Sequence, residues 1–244
     1  MMIDNPAHRL WLLLTEAKTI QSDVKCKRAW ATLLDVDPNS PDLYVRLGKF
    51  MQLPQDAIEA LKVEHSDELP AAHYWLTQIG QAFEKQHLHE PWQSFIGHID
   101  GHSLNYLKVH AKLINGGKQL KVLELDTLMQ AREELADLLT AVLEDAALEI
   151  EVRQALVRNL RGLIGAIEEY KLTGSAAVFD SISVVYGQTF FDPKYRSALN
   201  ADTPIGSKLN SIVSGLANAM TVILGVAPLA DLSQNILLLT QSPP

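Results

Sequence analysis

The feature that most constrains this chain is a stretch where charge almost disappears. Over residues 201–244 only Asp202, Lys208 and Asp231 are charged, and the 22 residues between Lys208 and Asp231 carry no charge at all. A helix on the surface of a globular protein normally keeps a charged face, so such a segment needs cover from core, from a partner or from lipid. About 20 apolar residues span the ~30 Å hydrocarbon layer, so length alone admits a membrane helix over the 22 uncharged residues, with 209–240 as the region that could meet a membrane. Composition weakens that reading. Fourteen of the 22 uncharged residues are apolar, and Asn210, Ser211, Ser214, Asn218 and Thr221 interrupt them.

The interruptions have helical order. Asn210, Ser214, Asn218 and Thr221 follow at steps of 4, 4 and 3, a polar line along one face. Beside it Ser207, Ser211, Gly215 and Ala219 recur at every fourth position, and Val213, Leu216, Met220, Ile223 and Leu224 lie opposite. Small residues at this spacing let two helix backbones approach closely, in water or in lipid. The favoured expectation is a terminal helix packed in a soluble bundle, its polar line meeting internal hydrogen-bond partners. Packing against a second copy or a partner is the next reading, and insertion into a bilayer the third. Pro228 then interrupts the pattern, and Asp231–Thr240 reads as one more short helix. Its Ile236, Leu237, Leu238 and Leu239 need cover.

The remaining chain reads as helix throughout. Asn5-Pro6 is an N-cap followed by a proline whose missing N–H costs nothing there, and Leu10, Leu13, Leu14 and Ala17 follow at helical spacing. Ser22 is the expected cap of a second helix carrying Ala29, Trp30, Leu33 and Leu34. Ser40-Pro41 opens a third with Leu43, Leu47, Phe50 and Met51, and Leu53-Pro54 is expected to begin a separate fourth. Leu69-Pro70 and Glu90-Pro91 open two more. Asp100-Gly101 breaks the chain ahead of a run through Leu104, Leu107 and Ala111, which Gly116-Gly117 ends.

Residues 126–172 form the clearest pair. Leu128, Ala131, Leu135, Leu138 and Val142 line one helix, with Asp126 as its expected cap. Val152, Leu156, Leu160, Leu163, Ile167 and Tyr170 line the next. A short join around Asp145-Ala146-Ala147 makes an antiparallel αα-hairpin, with one unbroken helix as the competing reading. Thr173-Gly174 reads as a stop and Ser175 as the cap of a following helix that runs to about Tyr186. Ile182–Phe191, rich in β-branched and aromatic residues, leaves a short strand open, as does Leu120–Leu125.

Chemistry is harder to find. Seven of the eight histidines lie between His65 and His110, and neutral imidazole is a common metal ligand. His87, His89, His98 and His102 are the candidate ligands, but Asp100-Gly101 separates the last two and no metal-binding spacing fits. The bland reading is scattered surface and capping histidines. A cluster charging near pH 6 is a further possibility for an acidic chain. Glu133-Glu134, Glu149, Glu151 and Glu168-Glu169 read as solvated faces. No phosphate-binding glycine loop or nucleophile-elbow motif occurs. The single Cys26 lies between Lys25 and Lys27, which would activate an exposed thiol; a half-buried small side chain is the expected state. The net charge of −8 argues against nucleic acid as a partner. With no export signal and one thiol, the expected location is cytoplasmic.

These observations lead to an all-α multi-helix bundle of about ten helices. The expected parts are an N-terminal helical head over 1–115, a hairpin-centred part over 118–200, and the apolar tail 201–244 packing on the bundle. The expected function is that of a non-enzymatic interaction or scaffold protein without cofactor. Its partner would be a second copy or another protein, through Ser207, Ser211, Gly215 and Ala219. The alternatives are a membrane-acting effector whose tail inserts into a bilayer, and a histidine-site metalloenzyme.

Overall fold

Helix caps and apolar stripes written into the sequence become eleven α-helices in the computed structural model, which describes residues 5–116 and 123–224. They are α1 (Pro6–Ala17), α2 (Cys26–Leu33), α3 (Asp42–Glu64), α4 (Leu69–Lys85), α5 (Gln93–Ile96), α6 (Gly101–Ile114), α7 (Leu125–Glu144), α8 (Ile150–Glu168), α9 (Tyr170–Phe191), α10 (Pro193–Ala198) and α11 (Pro204–Leu224). A 3-10 turn, Ser66–Glu68, leads into α4. Among the described residues no strand forms, and one isolated bridge pairs Lys25 with Pro91. The protein is all-α. No helix among the described residues is long and apolar enough to cross a membrane.

The described residues fall into two packed units, 5–116 with 171–174, and 123–170 with 175–224. In the first, Asn5 caps α1 as its sequence predicts, its side-chain oxygen accepting from His8 N–H at 2.9 Å. Leu10, Leu13, Leu14 and Ala17 are all buried. Trp30 sits at the centre with no exposed surface, its ring 4.9 Å from those of Phe50 and Trp92 and 4.7 Å from Phe95. Edge-to-face ring packing of this kind adds to area burial. Leu172 belongs to the same core, and the buried Arg9 Nε donates to its carbonyl at 2.9 Å.

In the second unit α7 and α8 form the hairpin, broken at residues 145–149, so the single long helix is excluded. Arg132 near the start of α7 pairs with Glu168 at the end of α8 at 2.7 Å, which fixes the antiparallel sense. Every position of the predicted α7 stripe is buried, as is the α8 stripe through Ile167; Tyr170 is half-buried and accepts from Leu123 N–H.

Several local expectations are corrected. Pro54 does not start a helix; α3 runs through it. An interior proline removes one backbone hydrogen bond and costs about 3 kcal/mol. Here Phe50, Leu53, Ala57 and Leu61, on both sides of it, are buried in one core that holds the helix together. Met51 is 47% exposed rather than buried. The second helix starts at Cys26, not after Ser22. The preceding segment bonds across to the 88–93 region instead, Cys26 N–H to Glu90 O at 2.8 Å and Trp92 N–H to Val24 O at 2.7 Å. The helix expected after Pro91 shrinks accordingly to α5. Asp126 lies in the first turn of α7 rather than at its cap. Ile182–Phe191 is helix, not strand: Ile182, Val185, Tyr186 and Thr189 are buried at steps of 3, 1 and 3, one helical face. Gly174, at φ 70° and ψ −169°, breaks α9 where the stop was expected, a backbone conformation open to glycine. Residues 120–122 and 225–244, which include Asp231–Thr240 and Ile236–Leu239, lie outside the described residues.

Candidate interaction surface

The first turn of α11 is built from local chemistry. Thr203 Oγ1 accepts from Gly206 N–H at 3.0 Å, and Pro204 occupies the first helical position. Gly206 is required there, because a Cβ would lie 2.1 Å from Asn200 O and 2.5 Å from Leu199 O. From this anchored start, Ile205, Leu209, Ile212, Val213, Leu216 and Met220 enter the core shared with α7 and α8.

The four expected contact positions fall on the other side. Ser207, Ser211 and Gly215 are exposed and Ala219 is half-exposed. A Cβ added at Gly215 would meet nothing within 4 Å. Three of the four therefore face outward together, while Ala219 at the end of the line packs partly against the core. The polar line is divided. Asn210 and Ser214 are half-buried, Asn218 is exposed, and the Thr221 side chain lies outside the description. Tyr186 OH donates to Asn210 Oδ1 at 2.6 Å, tying α11 to α9. Burial raises the Tyr186 phenol, and the nearby Tyr195 adds to this, so Tyr186 stays a neutral donor. Lys208 Nζ lies 3.9 Å from Asp137 Oδ2, an exposed pair that contributes little.

A second outward feature lies on α9 of the same unit. Val184, Gly187 and Phe191 follow at helical steps of 3 and 4. Val184 is 59% exposed, Phe190 52% and Phe191 88%. The sequence marks this stretch only as a possible strand; the further signal is a helix apolar on every side, which is normally covered.

A polar network missed by the sequence reading holds this unit in register. Asn159, inside the apolar α8 stripe, donates from Nδ2 to Gln188 Oε1 and to Tyr195 OH, both at 2.9 Å. Burial pushes the Tyr195 phenol up to about 12, against the opposing hydrogen bond from Asn159. Satisfied buried networks of this kind select one arrangement of helices.

The histidine candidates are scattered. His87 and His89 are exposed in the connection before α5, His98 precedes the Asp100 cap, and His102 lies beyond it on α6. His102 packs edge-on against Tyr74, at 4.8 Å between ring centres. Among the described residues no group of three or more metal-ligating side chains forms. Cys26 is fully buried, and burial raises its thiol to about 11, the reverse of activation. His110, expected to be a surface or capping residue, is buried completely. No protein-family model, no curated protein and no solved structure matches this chain.

Proposed function

We propose that the protein is a non-enzymatic, cytoplasmic helical interaction protein that self-associates through the outward face of α11. The observation that carries this reading is Gly215. A glycine in an exposed helix interior costs about 1 kcal/mol relative to alanine. Outside its own helix, no atom of the described residues lies within 4 Å of the place a Cβ would take, so packing among them gives no reason for that cost. With Ser211 and Ser207 one and two turns earlier, it forms a shallow channel into which a second helix backbone fits. A second copy supplies the same channel, and closed two-fold association is the commonest way for one surface to serve both partners. The exposed Val184 and Phe191 add apolar area in the same unit.

Light scattering coupled to size-exclusion chromatography tests this. The wild type is expected to run as a dimer or larger. Ser211→Leu with Gly215→Leu is expected to run as a monomer with unchanged helical circular dichroism. A wild type that is monomeric at high concentration removes the proposal. Liposome binding by the wild type would replace it with the membrane-acting alternative.

A further inference from the structure

The interior of the first unit contains one fully buried imidazole, His110 on α6. Its Nδ1 accepts from the Trp75 indole N–H of α4 at 2.9 Å. Indole nitrogen only donates, so Nδ1 carries no proton and the neutral ring holds its proton on Nε2. That nitrogen lies 3.6 Å from Glu68 Oε2 at the end of the 3-10 turn, beyond hydrogen-bond distance. The ring thus joins three consecutive pieces of structure, the turn, α4 and α6, through one acceptor and one near-contact.

We propose that His110 is an acid-sensitive latch of the α4–α6 seam. A proton taken from solvent onto Nδ1 makes the ring a donor at both nitrogens. The Trp75 N–H then faces another N–H, its hydrogen bond is lost, and a buried cation replaces a neutral ring. The seam loosens as a result.

The surroundings set when this happens. Burial favours the neutral ring, and Glu68, half-exposed and carrying a negative charge, opposes that by favouring the protonated one. From α6 itself Tyr106 lies one turn back, at 6.3 Å between ring centres. From α4, Tyr74 is committed to Asp100 Oδ2 at 2.6 Å. At the end of α3, His65 Nε2 meets Leu113 O at 3.0 Å. From α1, Arg9 donates to Leu172 O, and His8 stacks on Trp11. The charge that the His110 ring meets directly is therefore that of Glu68, which opposes the burial that holds the ring below its ordinary value.

The Trp75 indole N–H resonance in the full-length protein reads the latch directly. On lowering the pH from about 7.5 to about 4.5, it is expected to move away from its hydrogen-bonded position in one transition, with faster amide exchange in α4 and α6. His110→Gln offers an acceptor that does not titrate and is expected to abolish the transition. Glu68→Gln removes the charge that favours protonation and is expected to shift the transition to lower pH. His8→Gln is expected to leave it in place. A wild-type indole resonance that does not respond across this range overturns the proposal, as does the same transition in His110→Gln. Should His110→Gln not fold, a Glu68→Gln transition that is unmoved or moves to higher pH overturns it equally.

Discussion

Two glycines of α11 make opposite predictions for the same change. At Gly206 an added methyl carbon would lie 2.1 Å from Asn200 O and 2.5 Å from Leu199 O, about 1.3 and 0.9 Å short of ordinary contact. Both neighbours are backbone, so the first turn of α11 must move as a body. Overpacking of this size typically costs 1–3 kcal/mol and at times more, against about 1 kcal/mol of helix propensity that alanine returns. With both neighbours backbone the cost lies at the upper end, about 3 kcal/mol, and after about 1 kcal/mol is returned Gly206→Ala is expected to lose about 2 kcal/mol. At Gly215 the methyl meets nothing within 4 Å, so Gly215→Ala gains the propensity alone, about 1 kcal/mol. Urea unfolding followed by far-ultraviolet circular dichroism measures both. At an m-value of roughly 2 kcal/mol/M, the midpoint falls by about 1 M for the first and rises by about 0.5 M for the second. Low protein concentration keeps self-association from contributing. A Gly206→Ala protein as stable as the wild type would show that α11 does not start against Leu199 and Asn200. A destabilised Gly215→Ala would show that the outward face is occupied within the chain.

Other expectations follow from the buried polar groups. Tyr195→Phe removes one acceptor from Asn159 but leaves its bond to Gln188, so a loss of about 1 kcal/mol is expected, read by thermal unfolding. The Cys26 thiol, fully buried and raised to about 11, is expected to resist a disulfide reagent in the native protein at neutral pH and to react at once in denaturant. His8 and His110 are both held below the ordinary value of 6.5 by burial. The unfolded chain then binds more protons, so their contribution is complete above about pH 6.5 and is lost as the pH falls through the folded values. All four tryptophans, Trp11, Trp30, Trp75 and Trp92, belong to the first unit. The urea midpoint read by tryptophan emission is therefore expected to be lower at about pH 5 than at about pH 7.5. His8→Gln is expected to flatten part of that difference, and a midpoint independent of pH would contradict it.

The sequence by itself determined that the chain is helical and where most helices lie. Caps such as Asn5 and the Thr203-Pro204 start act within one turn, and the stripes of α7 and α8 repeat at the helical period. Both are local properties of the chain. Tertiary structure decided what local rules misjudge or leave open. It carried α3 through Pro54 because core lies on both sides, and it made Ile182–Phe191 helical because that face packs into a helical core. It buried His110 against Trp75, which no spacing in the sequence pairs. The candidate surface shows the same division. The period of Ser207, Ser211, Gly215 and Ala219 was legible as a line of small side chains. That the line points outward was not legible, because the orientation of a helix is set by which face other helices cover, and those helices come from distant parts of the chain.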